Sequence, residues 1–265
     1  MNGGAPSSLQ VKGFGASLLL LVAFLAAWQW GPALLHIPPF IVPPLSDVIH
    51  EFVRAWQFEH LLMHTGVTIA EVLAGFILGS LLGAFIGYLL GMSPVAELAL
   101  SPYILALQIA PKVAFAPLFI LWMGFTVYPK ILVAILIVFF PVMVNVLTAV
   151  RNVDPDLINL ARAFKATRAQ MFWKIEFPTS MPPMFAGLRI GATLAVVGVV
   201  VGELVGGNVG LGYLLTLGEG QANTAMVFVS IVMLTVVGGI AYLGVILIER
   251  RVLHYLPARS VGGNL

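Results

Sequence analysis

From Phe14 to Ile248 the chain is a succession of long apolar runs joined by short polar segments, and no other feature restricts its fold as much. Six runs, at 14–35, 66–91, 102–124, 128–150, 184–205 and 222–248, are long enough to cross about 30 Å of hydrocarbon as helices. A backbone surrounded by lipid must satisfy its own N–H and C=O groups, so such spans are helical. Composition agrees: 60% of the 265 residues are hydrophobic and 9% are charged, where a soluble domain carries about a quarter charged residues. The mean hydropathy is +1.03. The expected fold class is an all-α integral membrane protein with six transmembrane helices and no large soluble domain.

Several function classes drop out. The chain has no cysteine, hence no disulfide, thiol nucleophile or cysteine-based metal site. No pair among the five histidines sits in a metal-ligand motif. A pI near 9.0 could point to nucleic acid, but the formal excess is only +2 and is better explained by membrane topology. No GxxxxGK[ST] loop and no GxSxG elbow is present, so the chain is expected not to be an enzyme and to hold no cofactor.

Taken in order, residues 1–13 read as a polar tail, and Phe14 to Leu35 as an uncleaved first span with Trp28 and Trp30 near its end. Four prolines in Ile37 to Val48 forbid a regular helix there. Residues 49–64 read as a helix lying along the outer surface, with Glu51, Arg54, Glu59 and His60 wetted. In the second span Gly75, Gly79, Gly83, Gly87 and Gly91 recur every four residues, which lets another helix approach closely; packing within the chain is expected rather than a dimer face. Met92 to Ser101 reads as a turn. Pro111 and Pro117 interrupt the third span, which also contains Gln108 and Lys112. An ionisable residue in a span marks either function or a structural pairing, so Lys112 either touches solute or snorkels or pairs with a carboxylate such as Glu97. Asn145 in the fourth span reads as helix–helix glue, with a pathway role as the alternative. Glu203 closes the fifth span, followed by GGNVGLGY at 206–213, which lacks the lysine of a phosphate loop. The candidate solute-pathway residues are therefore Gln108, Lys112, Asn145 and Glu203. Lys112 suits an anion, and Glu203 argues against one unless it faces the outer gate.

An even number of spans places both termini on one side. With the N-terminus inside, the inner cations are Lys12, Arg151, Arg162, Lys165, Arg168, Lys174, Arg189, Arg250, Arg251 and Arg259, against Arg54 and Lys130 outside. This bias puts both termini, and the connector between the fourth and fifth spans, in the cytoplasm.

That connector, 151–183, is the longest polar stretch. Asp154 followed by Pro155 suits an N-cap and a first helical turn. Leu157, Leu160, Ala161 and Phe164 recur at helical spacing, while Arg162, Lys165 and Arg168 occupy the other side. Pro178, Pro182 and Pro183 are expected to end the run. Pattern alone fits a helix lying flat at the headgroup level.

Residues 159–189 also resemble the cytoplasmic loop of bacterial ABC-transporter permeases, whose pattern is Glu-Ala-Ala, three residues, Gly, nine residues and Ile-x-Leu-Pro. Ala161, Ala166, Ile175-Glu176-Phe177-Pro178, Gly187, Leu188 and Arg189 carry the match, and Glu203 followed by Gly210-Leu211-Gly212 fits the same family. Asn159 stands at the family's glutamate position and Lys165 at its glycine. A lysine there either accepts backbone strain of roughly 1 kcal/mol or straightens the turn. The resemblance implies a type I ABC importer permease fold in a bacterial inner membrane, of the subgroup for sulfonate, taurine, nitrate or pyrimidine-like solutes. It implies a homodimer of permeases, two ATP-binding subunits carrying ATP and Mg, and an extracytoplasmic substrate-binding protein, with lipid but no nucleic acid as further partners. It makes the helix at about 157–166 the coupling helix, whose site residues are Leu157, Leu160, Ala161, Arg162, Phe164, Lys165, Ala166 and Arg168. Leu157, Leu160, Ala161 and Phe164 either anchor it in a groove of the ATPase or pack on its own spans, and Arg162, Lys165 and Arg168 meet acidic groups or lipid phosphates. The competing class is an ion-coupled secondary transporter, which would need an internal repeat and carboxylates deep in the spans; no clear repeat is visible.

Overall fold

The computed structural model describes residues 8–254, which are helical with short joints and contain no strand. The tail cations Lys12 and Arg259 lie outside the described side chains. Two compact units divide the chain, residues 1–62 with 214–232 and residues 63–213 with 233–265.

The first unit begins with α1 (Ser8–Leu34), so the helix starts earlier than the expected boundary of the tail. α2 (Leu45–Phe58) follows the proline-rich joint. It stops at Phe58, and His60 takes a positive φ of 50°. The surface helix expected over 49–64 is thus shifted and shorter. Trp28 Nε1 donates to the Pro43 carbonyl at 3.0 Å, and the Ser46 N–H donates to Gln29 Oε1 at 2.9 Å.

The second unit is built on α3 (Leu61–Met92), α6 (Val127–Arg151) and α9 (Phe177–Gly206). The glycine stripe of α3 lies against α6. A Cβ added at Gly83 would stand 2.6 Å from the Phe139 carbonyl oxygen, and one at Gly79 2.9 Å from Val138 Cβ. α9 brings a second set to α6: a Cβ at Gly202 would sit 2.7 Å from Lys130 Cα, and one at Gly187 2.9 Å from Asn145 Cβ. α6 is therefore gripped backbone-close from two sides, and the α3 stripe serves packing within the chain.

The third span is more broken than its prolines suggest. α4 runs Pro94–Ile109, with Ser93 Oγ accepting from the Ala96 N–H and Pro94 in the first turn. Met92 to Ser101 is therefore helix from Pro94 on, not a turn. A 3-10 turn (Lys112–Phe115) and α5 (Ala116–Met123) complete the segment, bent by 79° from α4. Pro111 causes the break: Ala110 before it is extended at φ −54°, ψ 135°, the conformation a following proline imposes. Pro117 falls in the first turn of α5, where no N–H is missed.

α7 (Pro155–Ala163), α8 (Arg168–Met171) and a π turn (Phe172–Glu176) form the connector. α9 then runs through Pro178, Pro182 and Pro183 instead of stopping at them. Pro178 lies in its first turn, and the π turn (Phe177 N–H to the Phe172 carbonyl) re-phases the backbone ahead of it. α10 (Leu211–Gly220) and α11 (Thr224–Val252) close the described chain. Among the described residues five helices are long and apolar enough to cross a bilayer, and the bent α4–α5 pair, taken as one span, makes six.

Candidate functional site

The connector presents a short helix with defined ends. Asp154 Oδ1 accepts from the Asp156 N–H at 2.8 Å, and Pro155 fills the first helical position. At the other end the Ala166 N–H donates to the Ala161 carbonyl and the Lys165 N–H to the Arg162 carbonyl, both at 2.9 Å. This is a Schellman ending, with Lys165 at the left-handed position, φ 54°. The family's glycine position is thus a site of positive φ, and this lysine adopts that conformation rather than straightening the turn. Lys165→Gly is expected to raise thermal stability by up to about 1 kcal/mol, by removing the Cβ clash. A lowered melting temperature in detergent would contradict this reading. Thr167 and Gln170 then start α8 with reciprocal side-chain bonds at 3.3 and 2.8 Å.

Leu157, Leu160 and Phe164 point away from the rest of the protein, 43%, 56% and 80% exposed. Ala161 and Ala166 are half-buried, and Arg162, Lys165 and Arg168 are exposed. The connector therefore offers an uncovered apolar face ringed by cations.

At the far ends of α6 and α9 lies a second polar assembly, built around the turn into α10. Three successive amides are held by side chains. The Gly210 N–H donates to His64 Nδ1 at 3.0 Å, Leu211 N–H to Thr68 Oγ1 at 2.8 Å and Gly212 N–H to Glu203 Oε2 at 2.6 Å. These are the orphan donors of a helix N-terminus, and a carboxylate there also suits the helix dipole. Thr68 Oγ1 in turn donates to Glu203 Oε1 at 2.7 Å. Lys130 Nζ donates to Glu71 Oε1 at 2.8 Å and to the Val209 carbonyl at 3.4 Å. Glu71, Lys130, Thr68 and Glu203 are all buried, Glu203 completely. Gly210, at φ 120°, has no room for a side chain, because a Cβ would overlap the Glu203 carboxylate. An open cavity of about 480 Å³ lies beside the Glu71–Lys130 pair.

The four pathway candidates do not converge. Glu203 belongs to this clasp. Asn145 Nδ2 donates to the Pro141 carbonyl of its own helix at 2.8 Å, facing Gly187. Gln108 and Lys112 do lie together at the α4 break: Lys112 Nζ donates to the Gln108 carbonyl at 2.7 Å and sits 4.8 Å above the Phe140 ring. The carboxylate offered as its partner, Glu97, pairs with Arg151 instead. Lys130, counted among the outer cations, is buried. The sequence reading places Glu71 near the outer end of the second span but gives His64 and Thr68 no role, because each is a single polar residue on an apolar helix; the spacing of the three at i, i+4 and i+7, one face of α3, was the available signal.

A bundle of membrane-crossing helices with a capped amphipathic helix held outside the spans is the architecture of a transporter's membrane subunit. The chain belongs to the family of binding-protein-dependent transport system inner membrane components, which it matches over residues 75–254. It is 37% identical to the riboflavin transport system permease protein of Chloroflexus aurantiacus, over 92% of this chain and 90% of that one. It is 27% identical to the taurine transport system permease protein of Escherichia coli, over 93% and 90%. Its fold is similar to a chain of the MetNI methionine ABC transporter in inward-facing form, with a TM-score of 0.61 at 19% identity, covering 72% of this chain and 95% of that chain. The protein is a multi-pass inner membrane permease of an ABC importer, and the secondary-transporter alternative falls away.

Proposed function

We propose that two copies of this chain form the translocation pathway and that each docks one ATP-binding subunit through α7. The observation that carries the reading is the exposed Leu157, Leu160 and Phe164 face on a helix whose two ends are fixed by capping. An apolar face outside the spans, ringed by Arg162, Lys165 and Arg168, is what a groove of a soluble subunit would cover. Both termini and the connector are assigned to the cytoplasm on the lysine and arginine bias. ATP and Mg belong to the partner, whose closure would move the two α7 helices together and rock the spans between inward- and outward-facing states.

A substrate-binding protein would deliver solute to the opposite face. The solute class proposed is small and of sulfonate, taurine, nitrate or pyrimidine type. Relatives named for riboflavin and for taurine share this chain's sequence at 37% and 27% identity. Solutes that unlike fit a permease that leaves selection to its binding protein. Lys112 and Gln108, at the α4 break, are the pathway positions retained from the sequence.

Purification from the native membrane in mild detergent tests this assembly. The expected result is recovery of a soluble subunit bearing a Walker A sequence at equal stoichiometry with the permease. Recovery of the permease without any ATPase, under crosslinking as well, would overturn it.

A further inference from the structure

α2 carries an apolar flank that its own unit leaves uncovered. Val48 and Ala55 are buried against the protein, at 6% and 0% exposure. Ile49, Phe52, Val53 and Trp56 follow round the helix at i, i+3, i+4 and i+7 and stand 37–56% exposed. The rings of Phe52 and Trp56 neighbour each other at 6.1 Å. The charged and polar residues Asp47, His50, Arg54 and Gln57 lie on the other side, all exposed, with Arg54 paired to Glu51 at 2.9 Å.

The height of α2 is fixed by bonds to the ends of two spans. Trp28 and Gln29, in the last turns of α1, hold Pro43 and Ser46 at its entry. Asn223 Nδ2 donates to Glu51 Oε1 at 2.9 Å, and Thr224 Oγ1, at the start of α11, donates to the Phe40 carbonyl at 2.6 Å. Past that level the surface of α1 remains apolar and open, with Trp30 62% and Leu34 76% exposed. The lipid-facing surface of α1 therefore continues beyond the point where α2 is attached.

We infer that α2 lies in the membrane plane, its Ile49, Phe52, Val53 and Trp56 flank sunk into the boundary between headgroups and acyl chains. Lipid is the occupant because the flank is continuous in level with the bilayer-facing surface of α1 and contains no charge. Its polar side turns to water, and helices of this pattern sit about 5–10 Å into that boundary. The assignment does not depend on how the connector meets its partner.

Since the chain has no native cysteine, single cysteines report without background. Nitroxide labels at Ile49→Cys and Val53→Cys, and at His50→Cys and Gln57→Cys, would be compared in vesicles of phosphatidylethanolamine and phosphatidylglycerol. All four positions are exposed, so the fold does not depend on them. The first two are expected to be relaxed by dissolved oxygen and to lose relaxation by a water-soluble nickel chelate, and the last two to show the inverse ratio. Equal access of the nickel chelate at all four would overturn the assignment and mark a wetted surface for a soluble protein. Exclusion of both reagents from the 49 and 53 labels would overturn it in favour of a covering protein or second copy.

Discussion

Glu203→Ala is expected to unfold the clasp around the turn into α10 and to cost the largest loss of stability of any single change considered. The carboxylate is fully buried and accepts from the Thr68 hydroxyl and the Gly212 N–H. Removing it leaves both donors without their acceptor in a space from which water is excluded, at roughly 1–3 kcal/mol for each. The Leu211 amide weakens with them, since Thr68 is oriented by the same carboxylate. Glu203→Gln keeps the shape but turns an amide NH2 toward one of two donors, so an intermediate loss is expected. Thermal unfolding in detergent, with the two variants beside the parent, is the measurement. Equal stability of parent and Glu203→Ala would show that the clasp contributes nothing.

The second large effect is expected at Phe164→Asp. The ring is 80% exposed, so the substitution removes no internal packing and the spans should insert and melt as before. What it changes is the uncovered face of α7. An aromatic anchor lost from the centre of a docking surface costs about 2 kcal/mol or more, roughly thirtyfold in affinity, and a buried charge adds its own desolvation penalty. Solute-stimulated ATP hydrolysis by the assembled transporter should collapse while the permease stays folded. Normal coupled hydrolysis would remove α7 from the docking role.

Much of the architecture could be read from local signals. Asp154-Pro155 marks the start of α7 because capping chemistry acts over three or four residues, and the glycine stripe of α3 announces a close helix partner without naming α6. The Lys165 turn was framed by the sequence as a choice, and the backbone chose positive φ. What escaped was long-range. Thr68 and Glu203 meet across 135 residues, and the polar spacing around Thr68 on α3 does not name Glu203 as its partner. Lys130 counts as an outer charge on any tally of cations, and only the approach of Glu71 and the Val209 carbonyl buries it. The prolines misled at both ends of the problem. Pro178, Pro182 and Pro183 looked like a stop, yet a π turn carries the helix into them, whereas Pro111 produced a 79° bend sharper than an irregular span.

The double grip on α6 has a mechanical consequence. With glycine backbones pressed on it from α3 and from α9, α6 has no compliant layer of long side chains in which to slip, and close-packed interiors transmit strain. Its 25 residues make a rod of about 37 Å. Such a rod, clamped along its length, moves with α3 and α9 as one body. The connector hangs from one end and the turn held by Glu203 rests near the other, so any displacement of the connector end would be carried to that turn through α6 itself. No chain of polar residues between the two ends is needed to carry it.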